Sequence, residues 1–186
     1  MTEVTLLQAA PHDRLASVLG YGVSAALVGR LAQSPRLQAR MTELISSRLG
    51  DLNDLNREHA KVLAMAPDEL TDLSIRAGIV WHAGVVARII DGVSRRALVV
   101  LLGEKNYGLA LDCLCSRPPL PDNAFDRGPE DIAKAVSVDG AACLAAWCES
   151  QPRAVSGRWR LISPAASPEE AHEIWGPQIV TRLLAD

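Results

Sequence analysis

The sequence predicts a mainly α-helical fold, an irregular multi-helix bundle divided into two helical subdomains with at most a short pair of strands. Of its 186 residues, 48% are apolar and only 4% are aromatic. That composition favours helices packed through aliphatic side chains over a β-sandwich, which would need more Val, Ile, Thr and Tyr. Apolar residues also recur at helical spacing, and Ser, Asp, Pro and Gly stand where helices would begin or end.

The N-terminal part predicts three helices after a loose lead-in over residues 1–12. Gly20 and Gly22 weaken the first of them, because glycine costs about 1 kcal/mol relative to alanine inside a helix. Ser34 followed by Pro35 is typical of a helix start, with a capping hydroxyl before a proline in the first helical position. The remaining boundary signals, in chain order, are Pro11–Asp13, Gly50, Asp51, Pro67 and Asp68.

The central stretch, residues 69–115, predicts two or three short helices in close contact. Small residues such as Gly78 and Ala83 would let a neighbouring helix approach closely. Asp91–Gly92 breaks the chain, and we expect Ser94 to cap a second helix that Gly103 ends. One face of the first helix carries Leu70, Leu73, Ala77, Trp81 and Gly84 at helical spacing.

A proline-rich segment, residues 117–129, is predicted to connect an N-terminal subdomain, residues 1–116, to a C-terminal one, residues 130–186. It contains four prolines and therefore suits neither a helix nor a central strand. The division between subdomains is expected there.

The C-terminal part predicts further helices. Asp139 is expected to cap one that carries Cys143 and Trp147 on one face, and Ser167 to cap the last one. Residues 153–163 fit either a short strand or an irregular helix, because apolar and arginine residues alternate there without a clear helical period.

Charge and hydropathy exclude several classes of protein. The formal net charge is −3, whereas nucleic-acid binders usually carry a basic excess. No apolar run reaches the ~20 residues of a membrane span, so we expect no direct membrane insertion. The first residues lack the basic start and apolar block of a signal peptide. We therefore expect a cytoplasmic protein whose four cysteines are thiols.

Motifs for catalysis, cofactors or metals are missing from the sequence. Glycine-rich phosphate loops, HExxH and GxSxG do not occur, and the four histidines stand singly. Cys113-x-Cys115 with Cys143-x4-Cys148 offers four thiolates. Because these cysteines lie in Ala- and Leu-rich predicted helices, we expect small core residues rather than a zinc site. We expect no catalytic, cofactor-binding or metal residue, and no enzymatic activity.

The candidate partner-binding residues are Arg88, Arg95, Arg96 and Trp159. The three arginines form a basic edge around Asp91–Gly92, which is either a solvated surface or a contact point for an acidic partner. An exposed tryptophan would anchor an interface, since tryptophan is enriched at binding hot spots.

Two stretches resemble the SctK family of type III secretion accessory proteins, also called YscK, PscK, MxiK or OrgA. One stretch is residues 76–112, and the other, residues 139–164, is similar to the family's glycine-then-apolar helix and the arginine-bearing segment after it. A short His-Pro-Ser-Trp element of some members is absent, and Pro11–His12 is at most a remnant. In the first stretch the resemblance is carried by Gly78, Ile90, Asp91, Gly92, Leu98, Leu102, Gly103, Tyr107, Ala110 and Leu111.

The resemblance implies a mostly α-helical adaptor without a cofactor, located at the cytoplasmic face of the inner membrane in the sorting platform of an injectisome. Such proteins link the cytoplasmic domain of the ring protein SctD to the pod protein SctQ, and through it to the stator SctL and the ATPase SctN. We expect a monomer in isolation.

Two other functions stay open from the residues alone. One is a small helical enzyme or ligand-binding protein with a pocket between the subdomains, near Tyr107, His82 and a cysteine. The other is a chaperone for secreted substrates, which would be an obligate dimer with a large apolar interface.

Overall fold

A computed structural model of the chain describes residues 10–50, 55–114, 118–119, 126–162 and 167–185. These residues are mostly α-helical and contain no strand, which confirms the predicted mainly α fold. Within them the helices are α1 (His12–Leu19), α2 (Ala25–Ala32), α3 (Pro35–Leu49), α4 (Arg57–Ala64), α5 (Pro67–Trp81), α6 (Ala83–Arg88), α7 (Gly92–Leu102), α8 (Glu104–Asp112), α9 (Pro129–Ser150), α10 (Arg153–Ile162) and α11 (Glu170–Ala185).

The helices group into two compact units. Unit 1 consists of Met1–Ala66 and Gln151–Ala165, and unit 2 of Pro67–Ser150 and Ala166–Asp186. This grouping differs from the division predicted at residues 117–129, because α5, before that segment, packs along α9, after it. Much of the segment itself lies outside the described residues.

Unit 1 packs α1 to α4 with α10. Its core is aliphatic and includes Leu15, Val28 and Ile45, with Leu161 contributed by α10. Residues 153–162 are helical, so the choice between strand and helix is settled in favour of the helix. The buried Arg158 Nη1 of that helix donates to the carbonyl oxygens of Gly50 at 3.1 Å and Ala154 at 2.8 Å.

Unit 2 is built around α9, a helix of 22 residues. It packs against α5 on one side and α11 on another, while α7 and α8 complete the core. One core cluster has apolar residues from α5 to α9, among them Ile79, Val86, Leu98 and Val136, and α11 buries Ile179 and Val180. No helix among the described residues is long and apolar enough to cross a membrane.

The helices of unit 2 approach one another through glycines. A Cβ atom on Gly78 of α5 would overlap the carbonyl oxygen of Val136, and one on Gly140 of α9 would overlap that of Ser74. A Cβ on Gly176 of α11 would lie 2.9 Å from the carbonyl oxygen of Cys143. The predicted close approach at the small residues of α5 is thus confirmed.

Several predicted helix starts are wrong. Asp139 does not cap a helix but lies inside α9, which continues through Gly140, the residue at the crossing with α5. The cap of α7 is Asp91 rather than Ser94, since its carboxylate reaches two amide groups of the first turn. The helix expected from Asp51, which lies outside the described residues, starts at Arg57 after Asn56.

Candidate interaction surface

The three arginines of the predicted basic edge flank the turn between α6 and α7. Arg88 ends α6, Arg95 and Arg96 lie in the first half of α7, and all three are exposed. Asp91 Oδ1 caps α7, accepting from the N–H groups of Val93 at 3.1 Å and Ser94 at 2.8 Å.

These hydrogen bonds, above all the one from the Ser94 backbone, lower the pKa of the Asp91 carboxyl. The single acid of this turn is therefore engaged by backbone amides.

Arg95 and Arg96 differ in their surroundings. The guanidinium carbon of Arg95 lies 5.5 Å from the centre of the Tyr107 ring, within the range of a cation–π contact. Arg96 is exposed and makes no ion pair with any described residue. Arg95 is thus held against the domain, while Arg96 projects from it.

Beside the arginines, α7 exposes an apolar face. Val93 is 73% exposed, Val100 83% and Leu101 49%. At about 100° per residue, Val93, Arg96 and Val100 share the side of α7 opposite the buried Leu98 and Leu102, and Leu101 lies on the flank between the two sides. We call Val93, Arg96, Val100 and Leu101 the α7 face.

Trp159, predicted as a partner-binding residue, lies on α10 with only 9% of its surface exposed. Trp81 and Trp147 are also buried, as expected for most of the tryptophans. A partner-binding role for Trp159 stays a prediction, one that its burial does not favour.

A buried cluster of His82, Asp139 and His172 joins three elements of unit 2. His82 Nε2, after α5, lies 2.6 Å from Asp139 Oδ2, and His172 Nε2, on the first turn of α11, lies 3.3 Å from Asp139 Oδ1. His172 Nδ1 accepts from the N–H of Glu169 at 3.2 Å, which in the neutral ring leaves the proton on Nε2. The Trp81 and His172 rings stack with centres 4.3 Å apart.

The electrostatics of this cluster favour an ionised carboxylate. Burial alone would raise the pKa of Asp139, but the hydrogen bonds and charges of His82 and His172 outweigh it and lower the pKa. Cys143, four residues along α9, is a thiol whose pKa is raised by burial and by the charge of Asp139. Both Nε2 atoms are occupied by the carboxylate, so neither is placed to act as a base on another group.

The cluster also lacks a metal-site geometry. Both Nε2 atoms point at carboxylate oxygens rather than at a shared position, and no group of His, Cys, Asp or Glu in the described part of the chain could hold a metal ion. The described cysteines, Cys113, Cys143 and Cys148, are buried thiols, as predicted.

A shallow depression of about 480 Å³ adjoins Asp139 on the exposed side of α9. Arg127, Asp131 and Lys134 line it, with charges of both signs.

Comparison with known proteins gives the family. Over 170 residues the chain is 30% identical to the nodulation protein NolU of Rhizobium fredii, covering 88% of this chain and 75% of the relative. The chain belongs to the NolU family. The NolU of Sinorhizobium fredii strain NBRC 101917 / NGR234 matches to the same extent.

No family model matches the chain, and no solved structure matches it. The matched length includes most of both units, so the fold described here, rather than one segment of it, is what this chain shares with NolU.

In this NolU family member, the sequence predicted the exposed arginines, but the histidine–aspartate cluster and the α7 face were missed. Asp139 is 57 residues from His82 and 33 from His172, so no local spacing signals the cluster. The α7 face did carry a signal, since Val93 and Val100 are apolar residues on the side of the helix away from the buried Leu98 and Leu102. A helical projection of α7 would have shown it.

Proposed function

We propose that this member of the NolU family is a non-enzymatic adaptor in the cytoplasmic sorting platform of a bacterial type III secretion system. It links the cytoplasmic domain of an SctD-like ring protein to an SctQ-like pod protein, and through the pod to the stator and ATPase. The SctK resemblance over residues 76–112 and 139–164 supports this proposal. The name of the relatives agrees with it, because nodulation is an interaction of a bacterium with a host, the setting in which an injectisome works.

The α7 face is the observation that carries the proposal. It lies inside the stretch that resembles SctK, on a helix fixed to unit 2 by Leu98 and Leu102. Apolar side chains that stay exposed on a well-packed helix mark sites of protein association. Arg96 beside them supplies a charged group at the rim, which gives such a contact its orientation.

The helical core around the α7 face suits a protein that holds partners in place. Backbone-to-backbone approach at Gly78 and Gly140 leaves little room for α5 and α9 to slide. The His82–Asp139–His172 cluster adds hydrogen bonds between the same elements and α11. Both features support a rigid spacer rather than a hinge within unit 2.

Co-purification tests the proposal. The tagged protein is expressed in its own bacterium with the ring, pod, stator and ATPase proteins, and mass spectrometry identifies what is retained. We expect the pod protein and the ring's cytoplasmic domain, and we expect Arg95→Glu with Arg96→Glu to weaken retention. Retention of neither protein by the unsubstituted chain would refute the adaptor.

Arg95→Lys with Arg96→Lys is the matched control for that experiment. It keeps both positive charges and a cation over Tyr107, so the fold and the charge of the edge are preserved. If the lysine pair retains partners and the glutamate pair loses them at equal thermal stability, charge at the edge is what the partner contacts.

A further inference from the structure

The α7 face has a composition that a solvated helix does not need. A helix on the surface of a globular protein normally turns polar residues outward. Here the outward side carries two apolar residues and one arginine, with the exposed Leu101 on its flank, although the inward side is already filled by Leu98 and Leu102. A helix that is apolar on two opposite sides is typical of one that is covered on both.

The charge around the α7 face indicates the sign of what covers it. Residues 88–101 contain three arginines and one acid, Asp91, in a chain whose net charge is −3. The Asp91 carboxylate is engaged by the amides of Val93 and Ser94. The face is therefore locally basic, and a partner with carboxylates would complement it.

We propose that the α7 face binds an acidic amphipathic helix of another protein. That helix lays its apolar residues on Val93, Val100 and Leu101 and sets carboxylates against Arg96, the arginine on the same side of α7. The inference deepens the proposed function and rests on it for the source of the partner, which is expected among the secretion components.

The dimensions of α7 suit a helix. Its 11 residues give a ridge about 16 Å long at 1.5 Å per residue. A partner helix contacts such a ridge through its side chains at positions i, i+3, i+4 and i+7. Arginine suits this contact because its planar group pairs with carboxylates through two parallel hydrogen bonds.

Two other occupants fit the α7 face less well. Anionic lipid is usually bound by clusters of about four to eight basic residues, and this edge has three arginines. A second copy of the chain in a two-fold dimer would place the same patch against itself, bringing Arg96 close to its own symmetry mate. Like charges oppose that arrangement.

Site-specific photo-crosslinking tests the inference. A benzophenone amino acid replaces Val100 in the full chain, expressed in its own bacterium, and a matched replacement of Val138, a 61% exposed valine of α9, is the control. We expect Val100, and not Val138, to crosslink to a peptide of another protein with apolar residues at helical spacing and carboxylates beside them. Crosslinks to lipid, to a second copy, to this chain itself, or to nothing overturn the inference.

Substitution of the α7 face separates this inference from the adaptor proposal. Val93→Glu with Val100→Glu is expected to weaken binding of the crosslinked partner about tenfold or more, since it puts like charge and polarity at the centre of the contact. Val138→Glu should leave binding unchanged. If the pod or ring protein is retained but the double variant retains it equally well, the α7 face is refuted and the adaptor stands. If neither the pod nor the ring protein is retained but Val100 crosslinks to an acidic helix of a protein outside the secretion system, the adaptor is refuted and the α7 face stands.

Discussion

Gly78 and Gly140 meet where α5 crosses α9, so close that a Cβ on Gly140 would lie 2.9 Å from the amide nitrogen of Gly78. Neither position has room for a methyl group, because the atoms in the way belong to backbone rather than to a movable side chain. This contact fixes the distance between the two helices that form the centre of unit 2.

Gly78→Ala is therefore expected to destabilise the protein by about 3 kcal/mol, the upper part of the range for overpacked cores. Urea unfolding followed by circular dichroism measures it. Gly108→Ala is the matched control, because Gly108 lies inside α8 with nothing within 4 Å of a built Cβ. Alanine there should stabilise by up to about 1 kcal/mol through helix propensity. Equal stability of the two variants would contradict the close crossing.

Asp139 makes stability depend on pH in a defined direction. Folding lowers the pKa of the Asp139 carboxyl below its ordinary value of 3.8. As the pH falls, the unfolded state therefore takes up the proton first. The stabilisation by Asp139 is present above about pH 4 and is lost as the pH falls through the lower pKa that this carboxyl has in the folded state. Asp139→Asn should cost about 1–3 kcal/mol at neutral pH, because two buried histidines lose an ionised acceptor.

The difference in the free energy of unfolding between the unsubstituted chain and Asp139→Asn should become smaller as the pH falls. Unfolding curves recorded from pH 7 down to pH 3 measure this difference. Asp72→Asn, at an exposed position of α5, is the control and should run parallel to the unsubstituted chain. A gap that stays constant over this range would show that the charge of Asp139 does not stabilise the fold.

Helix capping can be compared at two positions of the same unit. Asn56 Oδ1 accepts from the N–H of His59 at 2.8 Å at the start of α4, whereas the Ser34 side chain makes no capping hydrogen bond before α3. Asn56→Ala should therefore destabilise by about 1 kcal/mol, and Ser34→Ala by much less. A thermal melt of each variant measures the two losses of stability. A larger loss for Ser34→Ala than for Asn56→Ala would contradict the assigned caps.

Cys143 and Cys148 should resist thiol reagents in the folded protein. Burial raises the pKa of both thiols, so the reactive thiolate is scarce at pH 8. Treatment with iodoacetamide, followed by peptide mass spectrometry, should leave both unmodified until a denaturant is added. Rapid labelling of either cysteine in the folded protein would mean that this side of α9 opens readily.

The sequence was sufficient for the helical fold because its signals are local. The Ala- and Leu-rich composition, the helical spacing of apolar residues and the proline at the start of α3 each act within one turn of helix. The exposed arginines were located for the same reason, since the break at Asp91–Gly92 fixes where α6 and α7 end and begin.

Features that depend on distant residues were not predicted. Asp139 followed by Gly140 looks like a helix start when only neighbours are considered, yet both positions are set by other helices. Gly140 is small because α5 lies against it, and Asp139 is acidic because His82 and His172 face it. Burial of Trp159 likewise depends on packing that no local pattern records.

The most direct test of the adaptor is whether it holds two partners at once. The purified chain, the pod protein and the cytoplasmic domain of the ring protein are mixed, and their masses are read by size-exclusion chromatography with light scattering. We predict a single complex with the mass of all three proteins, which does not form from the ring domain and the pod protein alone. Two separate complexes that exclude each other, or no complex at all, would contradict the adaptor.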